Sequence, residues 1–317
     1  MPITVVGSIA FDTVQTPFGR RERMVGGAAT HFALAASFFD TVHVVGPVGD
    51  DFDAAAHALL STREINTDDV EHVAGGKSFF WAGAYGWDLN SRETLDTQLG
   101  VFESFQPKLS AASRDVDVLF LANIQPSLQR DVLDQCDGAR FVALDSMNLW
   151  IDAARDDLLD VISRVDCLVL NDAELRQLTR KPSLVAAARE ALSWGPSTVV
   201  AKQGEYGAAL LTADSFFSLP AYPLETVIDP TGAGDTFAGG FLGFLARHLD
   251  EAGDDETLRR AMAHGTALAS FNVEEFGTDR VVRLSADELH GRVADLHRMT
   301  RFEHDGQPAI PVRSASR

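Results

Sequence analysis

Apolar positions along the chain alternate between two rhythms. Short, nearly continuous runs of aliphatic and β-branched residues occur at Ile3–Gly7, Val42–Gly46, Val116–Leu121, Arg140–Asp145, Cys167–Asn171 and Thr198–Lys202. Strands covered on both faces read this way, because neither face has to be polar. Longer segments of helical spacing lie between most of them, for example Ala28–Phe39 and Ser183–Ser193. That order predicts an α/β fold with a doubly wound, mostly parallel sheet flanked by helices.

Two regions break the rhythm, 13–24 and 71–88, the second containing the aromatic-rich KSFFWAGAYGWD. Both suit short strands outside the main sheet, so a small β-sheet lid is expected from them. Its aromatics, Phe79, Phe80 and Trp81, are expected to fill the lid or a homodimer contact made through it, ahead of stacking on a ligand. No internal repeat or low-complexity linker interrupts the chain. One domain is therefore expected over residues 1–301, followed by a poorly ordered tail at 302–317, where Gly306, Pro308 and Pro311 fall.

Composition narrows the function classes. With 317 residues, 45% of them hydrophobic, the chain can bury a substantial core. No run approaches the roughly 18 apolar residues of a membrane span, and MPITVVGSIAFD lacks the basic start and small-residue cleavage site of a signal peptide. A cytoplasmic protein without a membrane partner is the expectation. A formal net charge of −19 repels polyanions, so nucleic acid is not an expected partner. The acidic bias suits a high-salt interior and equally suits an acidic mesophilic enzyme from an arginine-biased genome; melting temperature against KCl separates the two. Cys136 and Cys167 are far apart and in apolar surroundings, which excludes a CxxC redox pair and predicts buried thiols. The nine histidines show no HExxH spacing.

The most informative stretch is DPTGAGDTFAGGF, Asp229 to Phe241. After Asp235, Phe237, Phe241, Phe244 and Leu245 fall on one face of a helix predicted to begin near Asp235. Gly232-Ala233-Gly234 then lies at a helix N-terminus, where unpaired N–H groups and the positive end of the helix dipole favour an anion. A carboxylate beside such a cradle repels phosphate unless chemistry needs it. A base that deprotonates an alcohol next to amides holding a phosphoryl group accounts for both features. The competing reading is that Asp235 only caps the helix. GxxxxGK[ST] is absent and GxGxxG fails at Phe237, which excludes a Walker loop and makes a nicotinamide dehydrogenase unlike this chain.

This motif resembles the D-T-x-G-A-G-D signature of the ribokinase-like (PfkB) family of carbohydrate and nucleoside kinases, and the resemblance runs from about Ile3 to Gly277. It implies Asp235 as catalytic base, the Gly232, Ala233 and Gly234 amides as anion hole, and Asp229 and Thr231 at a monovalent-cation site, expected to take K⁺; Pro230 stands where Thr is usual. Gly7-Ser8-Ile9-Ala10-Phe11-Asp12 resembles the end of the first strand, implying Asp12 as a ligand for substrate hydroxyls. Gly26-Gly27 resembles the glycine pair beside the substrate and at the lid hinge. His31 stands where sugar kinases of the family carry Asn, and Ala28 where ribokinases carry Lys, departures that count against ribose itself.

Asn171-Asp172-Ala173-Glu174 resembles the family's N-x-x-E motif, implying Mg²⁺ held through water by Asn171 and Glu174. The same residues make a helix capping box, and both roles are compatible. Lys202-Gln203-Gly204 resembles the nucleotide-contacting turn, with Gly204 giving room for ATP and Lys202 reaching a phosphate. Residues 263–276 are expected to form part of the adenine wall. The implied activity is ATP-dependent phosphorylation of a hydroxyl on a sugar or related polyol, with a nucleoside kinase as the alternative and a non-catalytic sugar or nucleotide sensor behind it. All these positions fall at strand C-termini or helix N-termini, the edge where open α/β sheets bind ligands.

Overall fold

The structure, a computed structural model, describes residues 1–136 and 138–301; the tail expected at 302–317 lies outside the described residues. In chain order the strands are β1 (Ile3–Val6), β2 (Ala10–Thr16), β3 (Gly19–Gly26), β4 (Val42–Gly49), β5 (Ile65–Asn66), β6 (Val70–Val73) and β7 (Phe79–Tyr85). They continue as β8 (Arg92–Gln98), β9 (Val118–Leu121), β10 (Phe141–Leu144), β11 (Cys167–Asn171), β12 (Thr198–Lys202), β13 (Ala208–Leu211) and β14 (Phe216–Leu219).

The main sheet runs β14-β13-β12-β11-β10-β9-β1-β4-β5, with β6 also on β4. The strands from β12 to β5 pair in parallel, while β13 and β14 add an antiparallel edge. Alternate residues of one strand feed two cores. Ile3 and Val5 join Phe32, Phe120 and Phe241 on one side. Val6 joins Leu119, Leu121 and Leu144 on the other. Both faces being buried under helices is the reason these strands read as unbroken apolar runs.

A second sheet, β3-β2-β7-β8, forms the lid. β2 pairs with β7 in parallel, setting Asp12 opposite Trp81, and β7 pairs antiparallel with β8, setting Tyr85 opposite Arg92. Because side chains alternate across a strand, Asp12, Trp81, Tyr85 and Arg92 share one face. The register shift falls on the β8 side of Ala82/Gly83, at Leu95, which leaves β7 regular.

The lid differs from the expected ranges in two ways. Glu71–Val73 belongs to β6, which continues the main sheet beside Gly46–Gly49 of β4. The fourth lid strand is RETLDTQ at 92–98, exposed along its whole length and so without an apolar signal to announce it. The first strand also ends at Val6, and the chain passes directly into β2, which makes Asp12 a lid residue.

Candidate active site

The C-terminal ends of three adjacent strands gather one charged group. Asp145 follows β10, Asn171 ends β11, and Lys202 ends β12 in register with Asn171. Lys202 Nζ donates to Asp145 Oδ2 at 2.6 Å, and the pair is almost wholly buried. Burial works against the Lys202 charge, yet Asp145, Glu174 and Asp235 outweigh it and raise its pKa.

Asn171 and Glu174 do form a capping box: Glu174 N–H donates to Asn171 Oδ1 at 2.8 Å, and Asn171 N–H donates to Glu174 Oε2 at 2.9 Å. Capping does not exhaust Glu174. Burial, then the neighbouring Asp145 carboxylate, pushes it up to about 7, with Lys202 opposing. A site with three carboxylates, Asp145, Glu174 and Asp235, around one ammonium has anionic charge to spare. Two oxygen-bearing side chains and that surplus fit a hydrated Mg²⁺, which keeps most of its water ligands.

The signature loop enters its helix two residues earlier than the spacing predicted, at Ala233, with Gly232 as N-cap in the left-handed region (φ 74°). Asp235 therefore lies inside the first turn, and no side chain caps this helix. Its carboxyl is pushed up to about 7 by burial and then by Asp145, while Lys202, its own backbone N–H and Arg92 pull the other way. A Cβ on Gly234 would lie 3.1 Å from Lys202 Nζ, so the ammonium sits directly beside the loop. The Ala233 N–H turns back to the Pro230 carbonyl at 3.2 Å.

His31 backs this loop from behind. The buried imidazole covers Gly232 so closely that a Cβ there would stand 2.3 Å from its Cε1. Asn272 fixes its tautomer. Asn272 Nδ2 donates to the Thr231 carbonyl at 2.8 Å, so Oδ1 is the acceptor for both Thr236 Oγ1 and His31 Nδ1, each at 3.1 Å. Nδ1 then carries the proton, and Nε2 is a buried lone pair with no partner among the described residues. Burial lowers the His31 pKa to about 4, with Asn272 opposing, so the ring is neutral at pH 7.

Asp229 is fully buried. Its Oδ1 accepts the Thr231 N–H at 2.9 Å and its Oδ2 the Gly277 N–H at 3.0 Å. Burial raises its pKa, and these N–H groups oppose the shift. Among the described residues no cationic side chain pairs with it, so this buried carboxylate, with a lone pair left on each oxygen, fits a small cation.

At the base of the lid, Asp12 leans on the backbone of Gly26, where a Cβ would stand 2.0 Å from Oδ2. Gly27, with φ 92°, opens the helix Ala28–Ala36 against the Ser8 carbonyl. Burial raises the Asp12 carboxyl to about 7; the Gly27 backbone opposes this, and Asp229 and Asp235 add to it. Asp12 of the lid thus lies within electrostatic reach of both aspartates of the signature segment, Asp229 and Asp235. Asn123 Oδ1 and Ser146 Oγ, just beyond β9 and β10, are buried without partners among the described residues.

The lid also reaches the signature loop and the turn after β12. Thr231 Oγ1 donates to the Tyr85 hydroxyl at 3.2 Å, and Asn90 Nδ2 donates to Glu205 Oε1 at 2.9 Å in the turn that holds Gly204. Gly204 itself has φ 56° and lies on the surface turn after β12, with Asn90 Oδ1 3.7 Å from where its Cβ would be.

The structure brings Asp235, Gly232–Gly234, Lys202, Glu174 and Asp145 together, with Asp12, Gly26 and Gly27 on the lid side; His31, expected beside the substrate, lies buried behind the loop against Gly232. Asp145, Asn272, Tyr85 and Arg92 were not read from the sequence. Asp145 had a signal, a carboxylate ending an apolar strand at the ligand-binding edge; the other three are brought in only by tertiary contacts.

A family model described as pfkB family carbohydrate kinase matches residues 3–283. A cytidine kinase from Thermococcus kodakarensis is 31% identical over 255 residues, covering 78% of this chain and 89% of the relative. Among solved structures, a Burkholderia thailandensis nucleoside kinase in complex with inosine superposes with a TM-score of 0.75 at 20% identity, covering 92% of this chain and 97% of its own. An Escherichia coli protein assigned as a ribokinase II, solved with ATP and Mg²⁺, gives a TM-score of 0.77 at 18% identity, covering 92% and 99%.

Proposed function

The chain belongs to the pfkB family of carbohydrate kinases and transfers a phosphoryl group from ATP to a hydroxyl of a sugar or nucleoside; from that premise we propose that its acceptor is a nucleoside. The observation that carries this reading is Trp81, whose indole lies one strand from Asp12 on the inner face of the lid. Asp12 can accept from ribose hydroxyls while the flat ring beside it stacks on a base, a contact worth about 1–3 kcal/mol. On the sugar or polyol reading made from sequence alone the indole only packs within the lid, where its Nε1 donates to Thr94 Oγ1 at 3.4 Å. The cytidine kinase and the inosine complex among the relatives support the same choice.

In this mechanism Asp12 and the Gly26-Gly27 backbone hold the acceptor, and Asp235 takes the proton of the attacked hydroxyl. The amides of Gly232 and Gly234 and the Lys202 ammonium stabilise charge on the phosphoryl oxygens, while the Ala233 N–H, expected to join them, is held by the Pro230 carbonyl at 3.2 Å. Gly204 leaves space for the nucleotide. Asn171 and Glu174 would hold Mg²⁺ through water, and the ion would supply charge neutralisation to the phosphates. Asp229 and Thr231 would hold K⁺. The lid's outer face, with a cavity of about 420 Å³ lined by Thr13, Gln15, Phe80 and Leu95, is where two copies would pair; light scattering tests that homodimer.

The test is ADP release from Mg-ATP in KCl across nucleosides, sugars, sugar phosphates and polyols. A nucleoside is expected to give the highest kcat/KM. A sugar or polyol ahead of every nucleoside overturns the choice of acceptor and leaves the kinase intact.

A further inference from the structure

We propose that Arg92 is a catalytic residue, a guanidinium that the lid lays against the phosphoryl group while it passes from ATP to the acceptor. The proposal rests on the kinase mechanism above and does not depend on which acceptor is natural.

Three observations lead to it. First, Arg92 is held in place by anchors on either side of it in the hairpin. Tyr85, its cross-strand partner, accepts from Thr231 at 3.2 Å, and Thr231 directly precedes the anion loop. Asn90, two residues before it, bonds the nucleotide turn through Glu205 at 2.9 Å. The segment carrying Arg92 therefore spans the line from the loop that receives the γ-phosphoryl group to the turn that faces the nucleotide.

Second, no carboxylate neutralises the guanidinium. Among the described residues it forms no ion pair; its side chain hydrogen-bonds Tyr85 and stands 5.4 Å above the Trp81 ring. It nevertheless acts electrostatically on Asp235, Glu174 and Tyr85, three groups on three separate elements that surround the reaction path. An arginine held only for structure would be expected to close onto one of these carboxylates.

Third, the charges demand it. Lys202, the ammonium on the opposite wall, already donates to Asp145 at 2.6 Å. Four carboxylates, Asp12, Asp145, Glu174 and Asp235, surround the path, and the ATP phosphates add more negative charge. A guanidinium offers two parallel N–H groups to phosphoryl oxygens and stays protonated throughout. In the step itself the acceptor hydroxyl loses its proton to Asp235 and its oxygen bonds to the γ-phosphorus. The bond from that phosphorus to the bridging oxygen breaks and ADP leaves. Arg92 transfers nothing; its hydrogen bonds strengthen as charge moves onto the oxygens.

The test compares Arg92→Ala, Arg92→Gln and Arg92→Lys with wild type, using whichever acceptor gives the highest turnover. Arg92→Ala is expected to lower kcat about 10²–10³-fold, the loss typical of removing one transition-state donor, with the acceptor KM little changed. Arg92→Lys should retain part of the rate and Arg92→Gln should not. Added guanidinium ion should restore part of the Arg92→Ala rate without moving its melting temperature. If Arg92→Ala is unstable, the Lys and Gln variants decide. A kcat within about twofold of wild type in Arg92→Gln, or a loss appearing only in acceptor KM, overturns the proposal.

Discussion

The His31 imidazole occupies the space into which any side chain at Gly232 would have to grow. Gly232 also sits at φ 74°, where an L-residue is strained, so the position excludes a Cβ twice over. Gly232→Ala should lose about 1–2 kcal/mol from the left-handed backbone alone and more from the ring. Urea unfolding is the measurement, and the double variant Gly232→Ala with His31→Ala should recover the steric part but not the backbone part. A single variant as stable as wild type would mean the ring can step aside at no cost.

Asp235→Asn retains size and hydrogen-bonding capacity but cannot accept the proton. Its kcat should fall at least about 10²–10⁴-fold, the range for a lost general base, while calorimetric affinity for Mg-ATP is nearly unchanged. Near-normal turnover refutes the role of base.

The acid limb of the pH profile should involve two protons. Asp12 and Asp235 both have pKa values raised to about 7 in the free protein, chiefly by burial. Both must be ionised, one to accept from the substrate and one to remove its proton, so activity is present above that value and lost as pH falls through it. A plot of log kcat/KM should therefore rise below pH 7 with a slope nearing two, a property of the coupled pair. Asp12→Asn should reduce the slope to one. A flat profile from pH 5 to 8 contradicts the assignment.

Cation dependence separates a bound ion from general screening. At fixed ionic strength, K⁺ should activate and Na⁺ should activate less if, as proposed, Asp229 and Thr231 hold K⁺. Asp229→Asn should abolish the difference. Equal responses to the two salts would assign the effect to screening of the −19 surface.

What could be read from the sequence follows how local its causes are. The parallel strands were visible because both faces are buried, and the anion loop because glycines, aspartates and a following apolar stripe lie within a few residues. The strand Arg92–Gln98 was invisible because all seven of its residues are exposed. Asn272 orders His31, Thr231 and Thr236 from a helix some 36 residues beyond Thr236, a relationship that no local pattern carries. Asn171-x-x-Glu174 could be read two ways because the cap and the metal-facing role use different atoms of the same residues.

The hairpin that carries Asp12's neighbour Trp81 at its base rests its tip on the nucleotide turn through Asn90 and Glu205. On the proposed assignment, acceptor and nucleotide therefore touch a shared element. Whichever arrives first and biases that hairpin alters the affinity for the second, and by thermodynamic reciprocity the second alters the first by the same factor. Asn90 is thus a point at which the order of addition of acceptor and nucleotide can be changed without touching a reacting atom.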